Sequence, residues 1–306
     1  EAVIACKDTG YKNVGYFYAS VIDEFTPFVD SVKAVVENKD QSLRSYGEWA
    51  ILLDKKIVAL TSDENNRVQL HSGNTYQLYN VQYPKYSMYC DNGVLTCKSG
   101  TTTPKSRRFT FTSTGNDNEY YISCNGSYIN SIGRSQQAKA TTSKKADALK
   151  FIVGEHGVAK YYMYKTGDTG QGIHCDQSYK VVGWNHTDDP SLWTLVCTDL
   201  KKERTDLNSL KALITEATSI HDLIVDTTNT ASISFKEGIE VTSETLAADV
   251  EAMMAKVAQS QDVVTNKYYE KTLTLIDELT ALIATVNAGY TVSTGIGGIL
   301  FDEADA

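Results

Sequence analysis

The chain has 306 residues, 42% of them hydrophobic and 22% charged, with a formal net charge of −9 and a pI near 5.1. That balance is ordinary for a globular protein long enough for two or three domains. It gives no basic, aromatic-interleaved patch for a general nucleic-acid partner, and no apolar run approaches the ~20 residues of a membrane span.

The chain begins at Glu1 without a Met or a signal-peptide pattern. The expectation is a processed chain or a piece of a larger protein, with any targeting signal upstream. Val21, Phe25, Phe28, Val29, Val32, Val35 and Val36 recur at helical spacing. Thr26-Pro27 within that stripe reads as an N-cap before a first-turn proline, or as a kink in a helix begun earlier. Trp49, Leu52, Leu53, Ile57 and Leu60 describe a second amphipathic helix, followed by a polar linker over 61–67. Two helices alone bury too little to be stable. They either pack on a later helical section or complete a bundle begun upstream, and the second reading is favoured.

From Tyr76 to Cys197 one unit is written three times. The copies enter through Tyr76-Gln77-Leu78, Tyr120-Tyr121-Ile122 and Tyr161-Tyr162-Met163. They leave through Phe109-Thr110-Phe111, Phe151-Ile152-Val153 and Trp193-Thr194-Leu195, with Phe109, Phe151 and Trp193 spaced 42 residues apart. Such spacing predicts stacked supersecondary units, since one unit cannot bury its own apolar face. Short alternating runs and frequent turn signals predict strands. The 19 tyrosines, against 8 phenylalanines, suit half-buried strands and wet binding surfaces. The paired tyrosines Tyr120-Tyr121 and Tyr161-Tyr162 read as barrel residues, one ring in and one out.

After Thr198 helical stripes return: Leu207, Leu210, Leu213, Ile214, Ala217, Ile220 and Ile224; then Leu246, Val250, Met253, Met254 and Val257; then Tyr269, Leu273, Ile276, Leu279, Ile283 and Val286. Residues 227–241 read as a break, and Thr242 or Ser243 can cap the second helix. The organisation expected is a helical segment at 1–66, the repeats at 67–199, a three-helix bundle at 200–291, and a flexible tail or start of a further module at 292–306.

The repeats resemble a β-trefoil of the ricin-type lectin family, over some 40% of the chain. The likeness rests on Cys90-Asp91-Asn92-Gly93 and Thr96-Cys97-Lys98-Ser99 in the first copy, and on Cys175-Asp176 and Ser191-Leu192-Trp193-Thr194-Leu195 in the third. These look like the family's Cys-x-Asp strand and Gln-x-Trp exit. The implied fold is α+β and multidomain: a β-trefoil of three ~42-residue repeats, six strands closed into a barrel under three hairpins, flanked by α-helical bundle segments. The Gln of the exit motif is Arg107, Leu149 and Ser191 here, so its structural hydrogen bond is missing or replaced. The second copy has Ser131-Ile132 where the others have Cys-Asp, and lacks a lectin-like site. The helical stripes also resemble, in general pattern, accessory modules of large secreted bacterial carbohydrate-active proteins.

A sugar site needs an aromatic face for the ring and a carboxylate or amide for its hydroxyls. The third copy offers Asp176, Tyr179, Trp184, Asn185 and His186; the first offers Asp91, Asn92, Tyr89 and Tyr86. Against these stand structural readings: a Trp184 folded back to close the barrel end, and an Asp-Asn-Gly that suits a hairpin turn without any ligand. Cys90 and Cys97 flank that hairpin signal. A two-residue turn at Asn92-Gly93 would set Cys90 opposite Leu95, so a Cys90–Cys97 bridge requires a bulge or a longer loop, and the other reading is buried free thiols. His174-Cys175-Asp176 would alternate across a strand rather than converge, and a Cys175 nucleophile assisted by His186 is disfavoured. No catalytic residue, metal or cofactor is expected. The expected function is a non-catalytic, extracellular glycan-binding module of a larger secreted or surface protein. The alternatives are a spacer or protein-interaction module, and an accessory region of a glycoside hydrolase or protease whose active site lies elsewhere.

Overall fold

The computed structural model describes residues 2–8, 10–39, 41–100, 102–225, 231–235 and 243–294. The described chain is α+β and falls into two compact units, Glu1–Lys202 and Glu203–Ala306.

The first unit opens with α1 (Ala2–Ala5), β1 (Lys7–Asp8), β2 (Phe17–Tyr18), α2 (Ala19–Glu37) and α3 (Tyr46–Ser62). Helix α2 starts well before Thr26-Pro27 and runs through it. Thr26 does not cap: its hydroxyl donates back to the Ile22 carbonyl at 2.7 Å. Helix α3 does carry a capping box, Ser45 and Glu48 each satisfying the other's backbone N–H. Phe17, Ile22, Phe25, Val29 and Leu60 form a small core between these elements. Residues 12–16 reach the strand region, where the N–H of Val14 donates to Leu195 O (3.0 Å) and the N–H of Cys197 to Lys12 O (2.7 Å).

Twelve strands follow: β3 (Thr75–Asn80), β4 (Tyr86–Asp91), β5 (Val94–Ser99), β6 (Phe109–Ser113), β7 (Glu119–Cys124), β8 (Ser127–Gly133), β9 (Gln136–Thr142), β10 (Lys150–Glu155), β11 (Tyr161–Lys165), β12 (Gly172–Cys175), β13 (Val181–Trp184) and β14 (Leu192–Asp199). Six of them close a ring, β3–β6–β7–β10–β11–β14 and back to β3, by antiparallel pairing throughout. These are the entry and exit strands of the three copies. The remaining six form the hairpins β4–β5, β8–β9 and β12–β13, which meet where β9 pairs with both β5 and β13. Period-2 alternation sends Tyr76, Leu78, Phe109, Phe111, Ile122, Phe151, Met163, Trp193 and Leu195 into one buried core. The indole N–H of Trp193 is satisfied there by Ile173 O at 2.7 Å.

The exit-motif positions show how one fold tolerates three different residues. Arg107 is buried and donates to Ser87 Oγ (2.8 Å), Gly100 O (2.7 Å) and Ser99 O (2.6 Å). Ser191, also buried, donates to Asn185 O at 2.6 Å. Leu149 packs on the core. Hydrogen bonds are thus supplied by other groups in the first and third copies. Another buried charge, Glu119 at the head of β7, accepts from Thr114 Oγ1 (2.6 Å), Asn116 Nδ2 (2.8 Å) and Thr166 Oγ1 (2.9 Å), with Lys150 Nζ at 3.7 Å.

In the second unit α4 (Lys201–Val225), α5 (Ser243–Asn266) and α6 (Tyr269–Gly289) bring Leu210, Ala217, Met253, Val257, Leu279 and Val286 into a single cluster. Leu273, expected on the buried stripe of α6, is instead 52% exposed, and Thr272 and Leu275 face inward. Two further strands, β15 (Ala231–Phe235) and β16 (Tyr290–Thr294), pair antiparallel where the sequence read as a break and the start of a tail. Most of the break at 227–241, the Thr242 cap and the tail from 295 to 306 lie outside the described residues.

Candidate functional site

The β12–β13 hairpin sets the geometry. Gly172 is opposite Trp184 and Cys175 opposite Val181, so 176–180 is the turn and Trp184 lies at the far end of β13. The sequence's third-copy cluster is therefore split. Asp176 and Tyr179 sit at one end, Trp184, Asn185 and His186 at the other, with a strand of about 10 Å between them.

At the turn, Asp176 Oδ1 accepts the N–H of Ser178 and of Lys180, each at 2.8 Å. The Tyr179 N–H donates to Asp176 O, and the Asp176 N–H to Lys180 O, both at 2.9 Å. This network holds Tyr179 at φ +60°, a left-handed conformation that a residue with a Cβ adopts only at a cost. The strained position presents a ring. Tyr179 stacks on Tyr86, with centroids 4.1 Å apart and planes 4° from parallel, and Tyr83 meets it edge-on at 5.5 Å. Tyr83 is placed by its own N–H, which donates to Asn80 Oδ1 at 3.1 Å. All three rings are half-buried against the core. A hydrogen bond with Tyr86 pushes the Tyr179 phenol above its ordinary pKa. The cluster joins copies one and three through the contact of β5 with the turn, where the Cys97 N–H donates to Tyr179 O at 2.7 Å.

The far end of β13 is occupied by its own contacts. The Arg134 guanidinium lies 4.6 Å over the Trp184 ring, and His174 approaches the same ring at 6.1 Å. Asn185 Nδ2 donates to Asp188 Oδ1 at 2.9 Å, while Asn185 Oδ1 accepts from the Thr187 hydroxyl at 3.3 Å. The His186 ring sits between Tyr162 (4.9 Å) and Tyr164 (4.7 Å), with Nδ1 3.0 Å from Thr169 O. These contacts fix the loop that follows β13. His174 Nδ1 lies 2.8 Å from Ser191 Oγ. The serine's single proton goes to Asn185 O, so His174 is the donor in that pair. Burial lowers the His174 pKa, which favours the neutral ring.

In the first copy Asn92 (φ +48°) and Gly93 (φ +80°) form a two-residue turn with Asp91 opposite Val94. Cys90 accordingly faces Leu95, no bulge brings it to Cys97, and both thiols are free and buried. Asp91 pairs with Lys98 at 3.2 Å. The Lys98 ammonium lies 4.0 Å over Tyr89, with Arg107 at 5.7 Å from the same ring. Asp91, Asn92 and Tyr89 thus belong to the hairpin and its cation contacts, apart from the tyrosine cluster. Sequence reasoning named Tyr179, Asp176 and Tyr86 but assigned them to separate copies, and it passed over Tyr83. The sole local signal for Tyr83 is its place in Tyr83-Pro84-Lys85-Tyr86; no linear pattern relates these positions to Tyr179.

Elsewhere, a polar cleft of about 200 Å³ runs beside the Arg67–Glu155 ion pair (3.0 Å), lined also by Glu64, Asn118 and Tyr161. Cys175 is fully buried, so it does not face His186 as a nucleophile would. Among the described residues no group of three or more His, Cys, Asp or Glu is placed to hold a metal ion, and no helix is long and apolar enough to cross a membrane.

No family model matches the chain, and no curated protein matches it. Solved structures similar in part include the Polyporus squamosus lectin bound to a human-type influenza-binding epitope, Neu5Acα2-6Galβ1-4GlcNAc. That likeness has 13% identity and a TM-score of 0.36, and covers 42% of this chain and 50% of that one. The Rhizoctonia solani agglutinin is similar at 13% identity and TM-score 0.36, over 42% of this chain and 97% of the other. The designed three-fold symmetric protein ThreeFoil is similar at 14% and 0.36, over 41% and 99%.

Proposed function

We propose that this chain carries a non-catalytic, lectin-like β-trefoil that binds glycan through the Tyr83–Tyr86–Tyr179 cluster. The trefoil reading rests on the closed six-strand ring, its three hairpins and the 42-residue recurrence of Phe109, Phe151 and Trp193. The observation that carries the function is Tyr179: an Asp-braced turn holds an aromatic side chain in a left-handed position, half-exposed and stacked on a tyrosine of another copy. Strain of this kind gathers at functional positions. Flat, half-exposed aromatic rings match the apolar face of a pyranose, and their phenols can exchange hydrogen bonds with its hydroxyls. Affinity per site would be low and useful through multivalency. Extracellular placement within a larger secreted or surface protein, flanked by helical spacer modules, belongs to the same proposal.

The test is a glycan array on the full chain, with Tyr86→Leu and Trp184→Ala beside it. Wild type and Trp184→Ala retain the bound glycan class, and Tyr86→Leu loses it. Absence of any bound glycan for the wild type, or equal binding by Tyr86→Leu, overturns the assignment. A second reading, docking of another protein, is favoured by the apolar side chains that the N-terminal helical region leaves outside, Leu43 (86% exposed), Ile51 (59%) and Val58 (55%).

A further inference from the structure

The polar cleft beside Arg67 shares no residue with the tyrosine cluster. One wall is the N-terminal segment. There the Gly15 N–H donates to Val68 O and the Val68 N–H to Tyr16 O, both at 2.8 Å, and Phe17 is bridged to Arg67. The other wall is the ring itself: Asn118 before β7, Tyr120 within it, Glu155 ending β10 and Tyr161 opening β11. Arg67 joins the two walls. Its Nη1 donates to both oxygens of Glu155, at 3.1 and 3.0 Å, and its Nη2 to Thr61 O at 2.9 Å. Nε, in contrast, is buried and has no acceptor. Buried donors are nearly always paired, so an orphan on a residue lining a cleft points to a small polar occupant.

Tyr161 supplies a second open group. Its hydroxyl has no hydrogen-bond partner among the described residues, and burial pushes its pKa up, so it remains a donor. Room for that hydroxyl exists because residue 15 is glycine; a Cβ there would lie 2.7 Å from the phenol oxygen. Acceptors line the same cleft, in the Glu155 and Glu64 carboxylates. One arginine against two glutamates disfavours an anion, and the pairing of Arg67 with Glu155 leaves donors and acceptors side by side. The 200 Å³ of the cleft equals the share of about six to seven waters at ~30 Å³ each. It falls below the ~300 Å³ at which drug-sized pockets begin, which limits the occupant to a single small ring.

We propose that this cleft is a second binding site, for one neutral polyol ring of hexopyranose or cyclitol size. Ring hydroxyls would accept from Tyr161 and Arg67 and donate to Glu64 and Glu155, since a hydroxyl does both. Val68, Leu70 and Val153 supply the apolar part of the lining. Saturation-transfer NMR tests the site on the full chain carrying Tyr86→Leu, which removes the tyrosine cluster from the reading. The probes are D-glucose, D-galactose, D-mannose and myo-inositol. At least one should show transfer in that background. Adding Tyr161→Phe should weaken its binding about 2- to 12-fold, the effect of one hydrogen bond, and adding Glu64→Gln as well should weaken it further. Neither side chain has a hydrogen bond to another protein group among the described residues, so both variants should keep the wild-type circular dichroism spectrum. No transfer from any of the four probes overturns the proposal, as does equal binding after both substitutions. Because the tyrosine cluster is already removed, either result leaves the glycan-array test of that cluster untouched.

Discussion

Replacing Tyr179 separates the strain at its backbone from the work of its ring. At φ +60° a residue with a Cβ gives up about 5- to 30-fold in the folding equilibrium. Tyr179→Gly removes that cost and adds about 2- to 5-fold for glycine's greater freedom in the unfolded chain. It also loses the Tyr86 stack, which contributes about 2- to 12-fold. These terms nearly cancel, and losing the ring's half-buried contact with the core then sets the urea midpoint of the Gly variant below that of the wild type. Tyr179→Ala keeps the strain and loses the stack, so its midpoint should fall clearly below that of the Gly variant. Both variants should lose glycan retention at least tenfold, because both lack the ring. Chemical denaturation followed by circular dichroism gives the midpoints, and affinity electrophoresis on a glycan from the array gives retention. An Ala variant as stable as the Gly variant would show that the Asp176 turn does not enforce the left-handed backbone. Undiminished glycan retention in either variant would remove the ring from the site.

Three further outcomes test the scaffold. Glu119 has its pKa lowered to about 2, chiefly by the Thr114 hydroxyl and further by Asn116, Thr166 and Lys150. Its contribution is complete above the ordinary carboxylate value near 4.5 and is lost as pH falls toward 2. Urea midpoints across that window should drop for the wild type and change less for Glu119→Gln. Arg107→Met leaves the Ser99 and Gly100 carbonyls without its donation and should cost about 2–4 kcal/mol in chemical denaturation. Gly183→Ala would place a Cβ 2.8 Å from the Gly133 backbone, where β13 passes the β8 end, and should cost about 2 kcal/mol or more.

Much of the scaffold could be read along the chain because its signals are periodic. Entry tyrosines and exit aromatics became the ring strands, since a 42-residue recurrence and alternation of apolar residues are linear properties. The α5 and α6 stripes were legible for the same reason, while Leu273 was misplaced because α6 carries apolar residues beyond its buried face, which spacing does not rank. Pro27 was ambiguous because a proline is tolerated both in a first turn and, at a cost, within a longer helix. The site was less legible. Trp184 stood out as an aromatic beyond what the barrel requires, yet its face is covered by Arg134, which is 50 positions away in the chain.

The sequence by itself determined the three unequal copies, the strand and helix periods, the two-residue turn at Asn92-Gly93 and the loss of the exit glutamines. Tertiary structure alone decided which side chains meet. Tyr179 finds Tyr86 and Tyr83, and the Cys97 N–H finds Tyr179 O, only because ring closure brings the first copy against the third. Contacts across a closed ring depend on how strands pair at its seam, and no local spacing of residues records that pairing.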